Sequence, residues 1–274
     1  MTAGQPTPVL EFENVTVSFG DVVALDSVSF TAREGESRIV LGAAGSGKTV
    51  ILKASLGLVR PDSGFVRVFG RDITAMAERD LFEIRGRIGM LFQESALFDS
   101  LTVEENVAYP LLNQKSICCP PEDVLPRVTE ALEFVGLGGA LEKSPSELSG
   151  GMRRRAAIAR AVVTAPPLVL YDSPTAGLDP ITAHTIMALI VKERDMAGAT
   201  SLLVTHRYQD GALMANFRYN PEQGRLAPAG AAAGLLPPTV FMVMREGRLV
   251  FEGGQSALEA SRDSYVLQFV KRRN

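Results

Sequence analysis

Gly42-Ala43-Ala44-Gly45-Ser46-Gly47-Lys48-Thr49 has the spacing G-x-x-x-x-G-K-[ST], the pattern of a loop that wraps a phosphate in backbone N–H groups. Glycine permits positive φ and close backbone approach, so successive amides and the positive end of the following helix converge on an anion. Lys48 adds a formal charge there, the Thr49 hydroxyl is placed for Mg²⁺, and Val50 continues into the first helical turn. The context agrees: the apolar run Ile39-Val40-Leu41 comes before the loop and a helix-compatible stretch, Lys48 to Val59, comes after it. A second anion-attracting start is Leu148-Ser149-Gly150-Gly151-Met152, which opens an alanine-rich helix. Taken alone, Ser149 with Gly150 and Gly151 reads equally well as an ordinary helix cap.

Three further residues stand at the ends of apolar strand-like runs: Gln93 after Ile88 to Phe92, Asp172 after Leu168-Val169-Leu170-Tyr171, and His206 after Leu202 to Thr205. A carboxylate at a buried strand end, as Asp172 is read to be, is costly without a partner. Ser173 follows it directly. The chain has two histidines, and His184 falls inside an expected helix, where it is read as structural.

The elements that must position these residues follow from periodicity. Val9 to Val17 and Val22 to Phe30 alternate as antiparallel strands, Ser37 to Leu41 feeds the phosphate loop, and Gly64 to Phe69 is a further strand. Glu78 to Arg85 reads as a short helix. Residues 9–93 and 166–254 form an α/β core, with 94–165 as an inserted helical subdomain containing Glu122 to Val135 and Gly151 to Ala165. Leu168 to Asp172, a helix over Ile181 to Met196 and Ser201 to Thr205 resume the core, and strands alternating with helices imply a largely parallel sheet. Residues 217–238, rich in Ala, Gly and Pro, read as a flexible surface excursion. Val240 to Met244 and Leu249 to Phe251 form a hairpin, and residues 255–274 hold an amphipathic helix over Ser256 to Val270.

With 274 residues, 46% of them hydrophobic, the chain can bury one sizeable core. Net charge −3 leaves no electrostatic footprint for nucleic acid, and the run Arg153-Arg154-Arg155 reads as solvated. The adjacent Cys118-Cys119 fits neither a disulfide framework nor a metal site, which implies a reducing, cytosolic compartment. No apolar stretch is long enough to span a membrane and the first residues do not resemble a signal peptide, so any membrane role requires other chains.

From Phe12 to about Gly254 these motifs, in this order, resemble the ATP-binding-cassette (ABC) ATPases. The resemblance implies a P-loop NTPase core with an antiparallel β subdomain and an inserted helical subdomain, and ATP with Mg²⁺ as cofactors. It carries Phe19 to the aromatic that stacks on adenine, the alternative being a half-buried strand-end phenylalanine. It makes Ser149, Gly150 and Gly151 a signature that touches the γ-phosphate held by a second copy. Gln93 becomes the sensor of Mg²⁺ and attacking water, Asp172 the carboxylate that holds Mg²⁺ through water, Asp179 in Gly177-Leu178-Asp179 the dimer-crossing aspartate, and His206 the γ-phosphate contact. Thr49, Gln93 and Asp172 would thus face the metal, and Lys48, Gln93, Asp172, Ser173 and His206 the reaction.

One position departs from the family pattern: Ser173 stands where a glutamate usually orients or deprotonates water. Loss of a general base costs on the order of 10²- to 10⁴-fold in rate. Slow hydrolysis, water oriented instead by His206 and Asp179, a degenerate site paired with a different subunit, an introduced substitution, and a regulatory subunit that binds ATP without useful turnover all remain open. Met90 to Val103, Glu105 to Leu111 and Met152 followed by basic residues resemble ATPases of the Mla/Mce type, which serve phospholipid or lipid transport, with small-solute importers sharing part of the pattern. The implied partners are a second ATPase subunit, integral-membrane permeases and an MCE-type lipid-binding protein, on the cytoplasmic face of the membrane. Leu97, Phe98 and Leu101 are either the lining of a permease groove or ordinary core.

Overall fold

The computed structural model describes residues 7–114, 116–230 and 238–271. β1 (Pro8–Phe19) and β2 (Val22–Arg33) form a long antiparallel hairpin. β1 buries Leu10 and Phe12, then Val15 and Val17; an irregularity between Phe12 and Val15 switches the inward parity from even to odd positions. β3 (Ser37–Gly42) is buried at all six positions and leads through the phosphate loop into α1 (Lys48–Ser55). Continuous burial rather than alternation marks a parallel strand covered on both faces.

β4 (Ser63–Val68), β5 (Arg71–Asp72), α2 (Glu78–Arg85) and β6 (Ile88–Leu91) follow. Between β6 and the next core strand lie α3 (Val103–Asn113), α4 (Pro121–Phe134) and α5 (Gly150–Val162). α3 starts at a reciprocal cap in which Thr102 accepts the Glu105 N–H and Glu105 accepts the Thr102 N–H. The core then continues with β7 (Leu168–Asp172), α6 (Pro180–Ala197), β8 (Thr200–Thr205) and α7 (Tyr208–Asn216). β9 (Phe217–Asn220), β10 (Arg225–Pro228), β11 (Thr239–Arg245), β12 (Arg248–Gly253), α8 (Gln255–Glu259) and α9 (Ser264–Lys271) complete the described chain.

Three sheets result. An antiparallel sheet has the order β2-β1-β4-β5, and a six-stranded sheet has the order β12-β11-β3-β8-β7-β6, parallel except for β12. The third is the pair β9-β10. One apolar cluster joins the antiparallel sheet and α1 to one face of the parallel sheet; a second joins the other face to α3, α4, α5 and α6. The architecture is therefore the expected α/β one, an antiparallel subdomain and a helical insertion around a parallel core.

Several boundaries differ from the sequence reading. α1 stops at Ser55 instead of Val59 because Gly57 turns left-handed, with φ of 64°. Residues 217–228 are not a loose excursion: β9 and β10 pair over four residues and pack on α6; residues 231–237 of that segment lie outside the described residues. The helix expected over Ser256 to Val270 is broken in two. The Asp263 carboxylate accepts the N–H groups of Tyr265 and Val266 at 2.7 and 3.3 Å and so starts α9 afresh. His184 lies on α6, as expected, and is exposed.

Candidate nucleotide site

β3, β8, β7 and β6 run in parallel, so the residues that follow them emerge along one edge. Leu41 pairs with Thr205, Val204 with Asp172 and Tyr171 with Leu91. That register brings the phosphate loop, His206, Asp172 with Ser173, and Gln93 together from four separate stretches of chain. Ligands of open α/β sheets bind outside this carboxyl edge. A cavity of about 570 Å³ is found there, lined by Gly42, Ala43, Ala44, Gly45, Lys48, Thr49, Gln93, Ser173, Ala176 and His206, with Tyr265, Gln268 and Phe269.

The loop is shaped for an anion. Gly47 has φ of 98° and an added Cβ would lie 2.3 Å from Ala24 O, so a side chain fits neither the angle nor the space. Gly47 is also the N-cap of α1 and no side chain caps it, which leaves the helix start to draw its partner from the cavity. Lys48 Nζ donates to Ala43 O at 2.7 Å and stands 3.5 Å from Ser46 Oγ. Burial pulls the Lys48 ammonium below its ordinary pKa, and the Asp172 carboxylate opposes that shift. An amide-lined turn and a partly desolvated ammonium fit a polyphosphate, which would restore the charge balance.

Asp172 is buried at the end of β7, and Ser173 beside it takes φ of 47°, a left-handed conformation unusual for serine. The Ser173 N–H donates to Val204 O at 2.8 Å and its hydroxyl donates to Asp172 Oδ1 at 3.2 Å. Among the described residues no group of three His, Cys, Asp or Glu side chains forms a metal site. Thr49 and Gln93 line the cavity and Asp172 lies beneath Ser173, so with oxygens from phosphates and water they could complete a Mg²⁺ shell.

Other expected residues lie elsewhere. Ser46 is buried beneath the loop, and Val50 packs into the apolar core rather than the cavity. Phe19 is exposed at the end of β1, outside the cavity lining. Ser149 caps α5 by accepting the Met152 N–H at 3.2 Å, and Asp179 caps α6 by accepting the Ile181 and Thr182 N–H groups at 3.0 Å each. Neither they nor Gly150 and Gly151 line the cavity of this copy.

The structure adds residues that the sequence reading missed. Tyr265 reaches the loop from α9: its hydroxyl donates to Met244 O at 3.0 Å and lies 3.4 Å from the Ala43 N–H as acceptor. Asp210 is buried on α7 and accepts from both Thr175 and Thr205 at 2.7 Å, tying the turn after Ser173 to the strand end before His206. Burial raises the Asp210 pKa, while those two hydroxyl bonds, first among the opposing effects, lower it. No local pattern announces these contacts, since their partners lie on other elements.

A glycine-rich loop ending in Lys48-Thr49, at the carboxyl edge of a parallel sheet, defines a P-loop nucleotide-binding protein. The ABC transporter family matches residues 25–176. The chain is 33% identical over 264 residues to the intermembrane phospholipid transport system ATP-binding protein MlaF of Haemophilus influenzae, covering 96% of this chain and 90% of that one. It is 40% identical over 206 residues to the probable ribonucleotide transport ATP-binding protein mkl of Mycobacterium bovis, covering 75% of this chain but 57% of that one. Among solved structures, the ATP-binding cassette MJ0796 in a dimeric post-hydrolysis state with ADP and Pi superposes with a TM-score of 0.74 and 28% identity, covering 90% of this chain and 98% of that one. The chain belongs to the ABC transporter family, and it is an ATPase subunit of a transporter.

Proposed function

We propose that two copies of this chain close on ATP at the cytoplasmic face of a membrane and drive lipid transport through permease subunits. The observation that carries the lipid reading is full-length similarity: MlaF shares nearly the whole of both chains, whereas mkl extends well beyond the matched part. The methionine import protein MetN 2 of Rhodococcus jostii, 38% identical over 244 residues, represents the small-solute alternative. Among the described residues no helix is long and apolar enough to cross a membrane, so permeases would supply the passage.

In this reading Lys48 and the loop amides bind the β- and γ-phosphates, while Phe19 meets the adenine. Ser149, Gly150, Gly151 and Asp179 serve the second copy, in keeping with their position outside this copy's cavity. Bound Mg²⁺ supplies Lewis-acid stabilisation of charge on the phosphates. Thr49, Gln93 and Asp172 would hold it. Gln93 and His206 orient the attacking water and the terminal phosphate. Ser173 holds Asp172 but cannot take a proton at neutral pH, which favours slow turnover and supports, as a second reading, a subunit whose main work is nucleotide-dependent closure.

A groove of about 380 Å³ lies beside the Gln93 segment, with Phe92, Ala96, Phe98, Tyr109 and Pro110 in its wall. The Phe98 and Tyr109 rings meet at a tilt of 43° with centroids 4.7 Å apart, and both are exposed; Leu97 instead packs against the core, and Leu101 is not part of the wall. We assign this groove to a short permease helix, which closure would pull; an MCE-type lipid-binding protein would complete the assembly. ATP turnover of the purified membrane assembly, with and without phospholipid, tests the cargo. Stimulation by phospholipid is expected; stimulation by methionine or a nucleoside alone would overturn the lipid reading.

A further inference from the structure

The arginines of α5 do not form a solvated run. Arg153 Nη1 donates to Leu148 O at 2.8 Å, Arg155 Nη1 to Val135 O and Gly136 O at 3.0 Å each, and Arg160 to Ala96 O and Ser95 O at 2.8 and 2.9 Å. Arg154 is buried, and two of its three acceptor residues border the nucleotide cavity. Its Nη1 donates to Phe92 O at 3.0 Å and to Gln93 O, and its Nη2 to Ala176 O at 3.4 Å. Gln93 and Ala176 both line that cavity.

We propose that Arg154 is a positioning residue that fixes the Gln93 backbone and the turn after Ser173 to the helix that begins at Ser149, making hydrolysis at one site depend on occupation of the other. This rests on the roles proposed above for Gln93 and Ser149. Five residues of helix separate Ser149 from Arg154, a rise of about 7.5 Å along one rigid element. Whatever moves Ser149 against a second copy's nucleotide therefore moves the guanidinium that holds this copy's Gln93. Burial opposes the Arg154 charge, and Asp172 attracts it without forming an ion pair, so the guanidinium is held chiefly by the carbonyls of the two loops that it ties together. Lysine cannot replace it, because a single ammonium lacks the planar fork that reaches three carbonyls on two loops.

The test uses the purified transporter assembly with Arg154→Lys, Arg154→Met and Gln93→Ala, titrated with MgATP. We expect kcat at least tenfold lower in both Arg154 variants, KM and MgATP affinity within threefold of the parent, and a Hill coefficient above 1 in the parent that falls to 1. Arg154→Lys keeps charge and length, so it carries the test should Arg154→Met fail to assemble. A parental kcat and Hill coefficient in the Lys variant overturn the proposal, as does loss of kcat and nucleotide affinity together in step with a lower Tm. Gln93→Ala separates the two layers: slow Gln93→Ala beside fast Arg154 variants sinks this inference alone, and unchanged turnover in Gln93→Ala removes the ground for both.

Discussion

Replacing Ser173 with glutamate should speed ATP turnover at least tenfold in the assembled transporter. Ser173 lines the cavity with Lys48, Thr49 and His206, so a longer side chain from the same Cα enters the space where water meets the terminal phosphate. The change forfeits the 3.2 Å bond from Ser173 to Asp172, about 1 kcal/mol. The left-handed φ of 47° burdens serine and glutamate alike, so that strain nearly cancels. Asp172, next door and buried, raises the pKa of a new carboxylate towards neutrality, which makes it a better base. A positioned base contributes on the order of 10²- to 10⁴-fold, about 2.7 to 5.5 kcal/mol. After the lost bond, even the low end leaves about 1.7 kcal/mol, or more than tenfold. Single-turnover and steady-state phosphate release by Ser173→Glu and parent assemblies measure it. Rates within twofold of each other in both assays would refute the reasoning and put proton acceptance on another group.

Lys48→Ala removes a charge-assisted contact to phosphate and should weaken MgATP binding by about 10- to 100-fold, corresponding to about 1.5 to 3 kcal/mol; titration calorimetry showing less than a twofold loss would count against the site. Ser149→Glu should abolish ATP-driven dimer formation, read by light scattering, while nucleotide affinity of the single chain holds within threefold; a normal ATP dimer would show that Ser149 is merely a cap. Gly47→Ala must place a Cβ 2.3 Å from Ala24 O at φ of 98°, so the loop shifts, and both Tm and MgATP affinity should fall. Glu193, buried beneath the parallel sheet with the Tyr171 hydroxyl 3.4 Å away, has its pKa pushed up from 4.5 to about 7 by burial. Because the folded state holds this proton more tightly, the contribution to stability is full below pH about 4.5 and is lost as pH rises to about 7, a difference of about 3 kcal/mol at most. Glu193→Gln should therefore raise Tm at pH 8 and leave it nearly unchanged at pH 4.5; a pH-independent difference would place the origin elsewhere.

The strands were legible where burial is simple. Six successive buried positions in β3 and five in β7 leave an apolar run that only a covered parallel strand uses, and the carboxyl ends of such strands are where ligands gather. Alternation gave β1 and β2, although the parity change inside β1 blurs the pattern. Composition misled at 217–228, where two short strands take their stability from packing on α6 instead of from an apolar stripe of their own. It misled again near the C-terminus, where the Asp263 cap divides a single amphipathic pattern into α8 and α9. In both cases a contact or a single side chain outweighed the periodic signal.

The site separates in the same way. Lys48, Thr49, Gln93, Asp172, Ser173 and His206 each stand at or after the end of a recognisable strand, and strand adjacency gathers them at one edge; their roles came from the family resemblance and not from position alone. Tyr265, Asp210 and Arg154 were not, since their value comes from what they touch across the fold. Arg154 is the sharpest instance: between two arginines in a basic run it has the pattern of a solvated residue, yet two of its three carbonyl partners lie more than 60 residues away in the chain. Local charge fixes how much burying that side chain costs, and topology decides whether three acceptors are waiting. If Ser149 meets a second copy's nucleotide as proposed, the helix that carries it at its start and anchors the Gln93 backbone through its second turn would link the two sites by rigid geometry, with no moving wire between them.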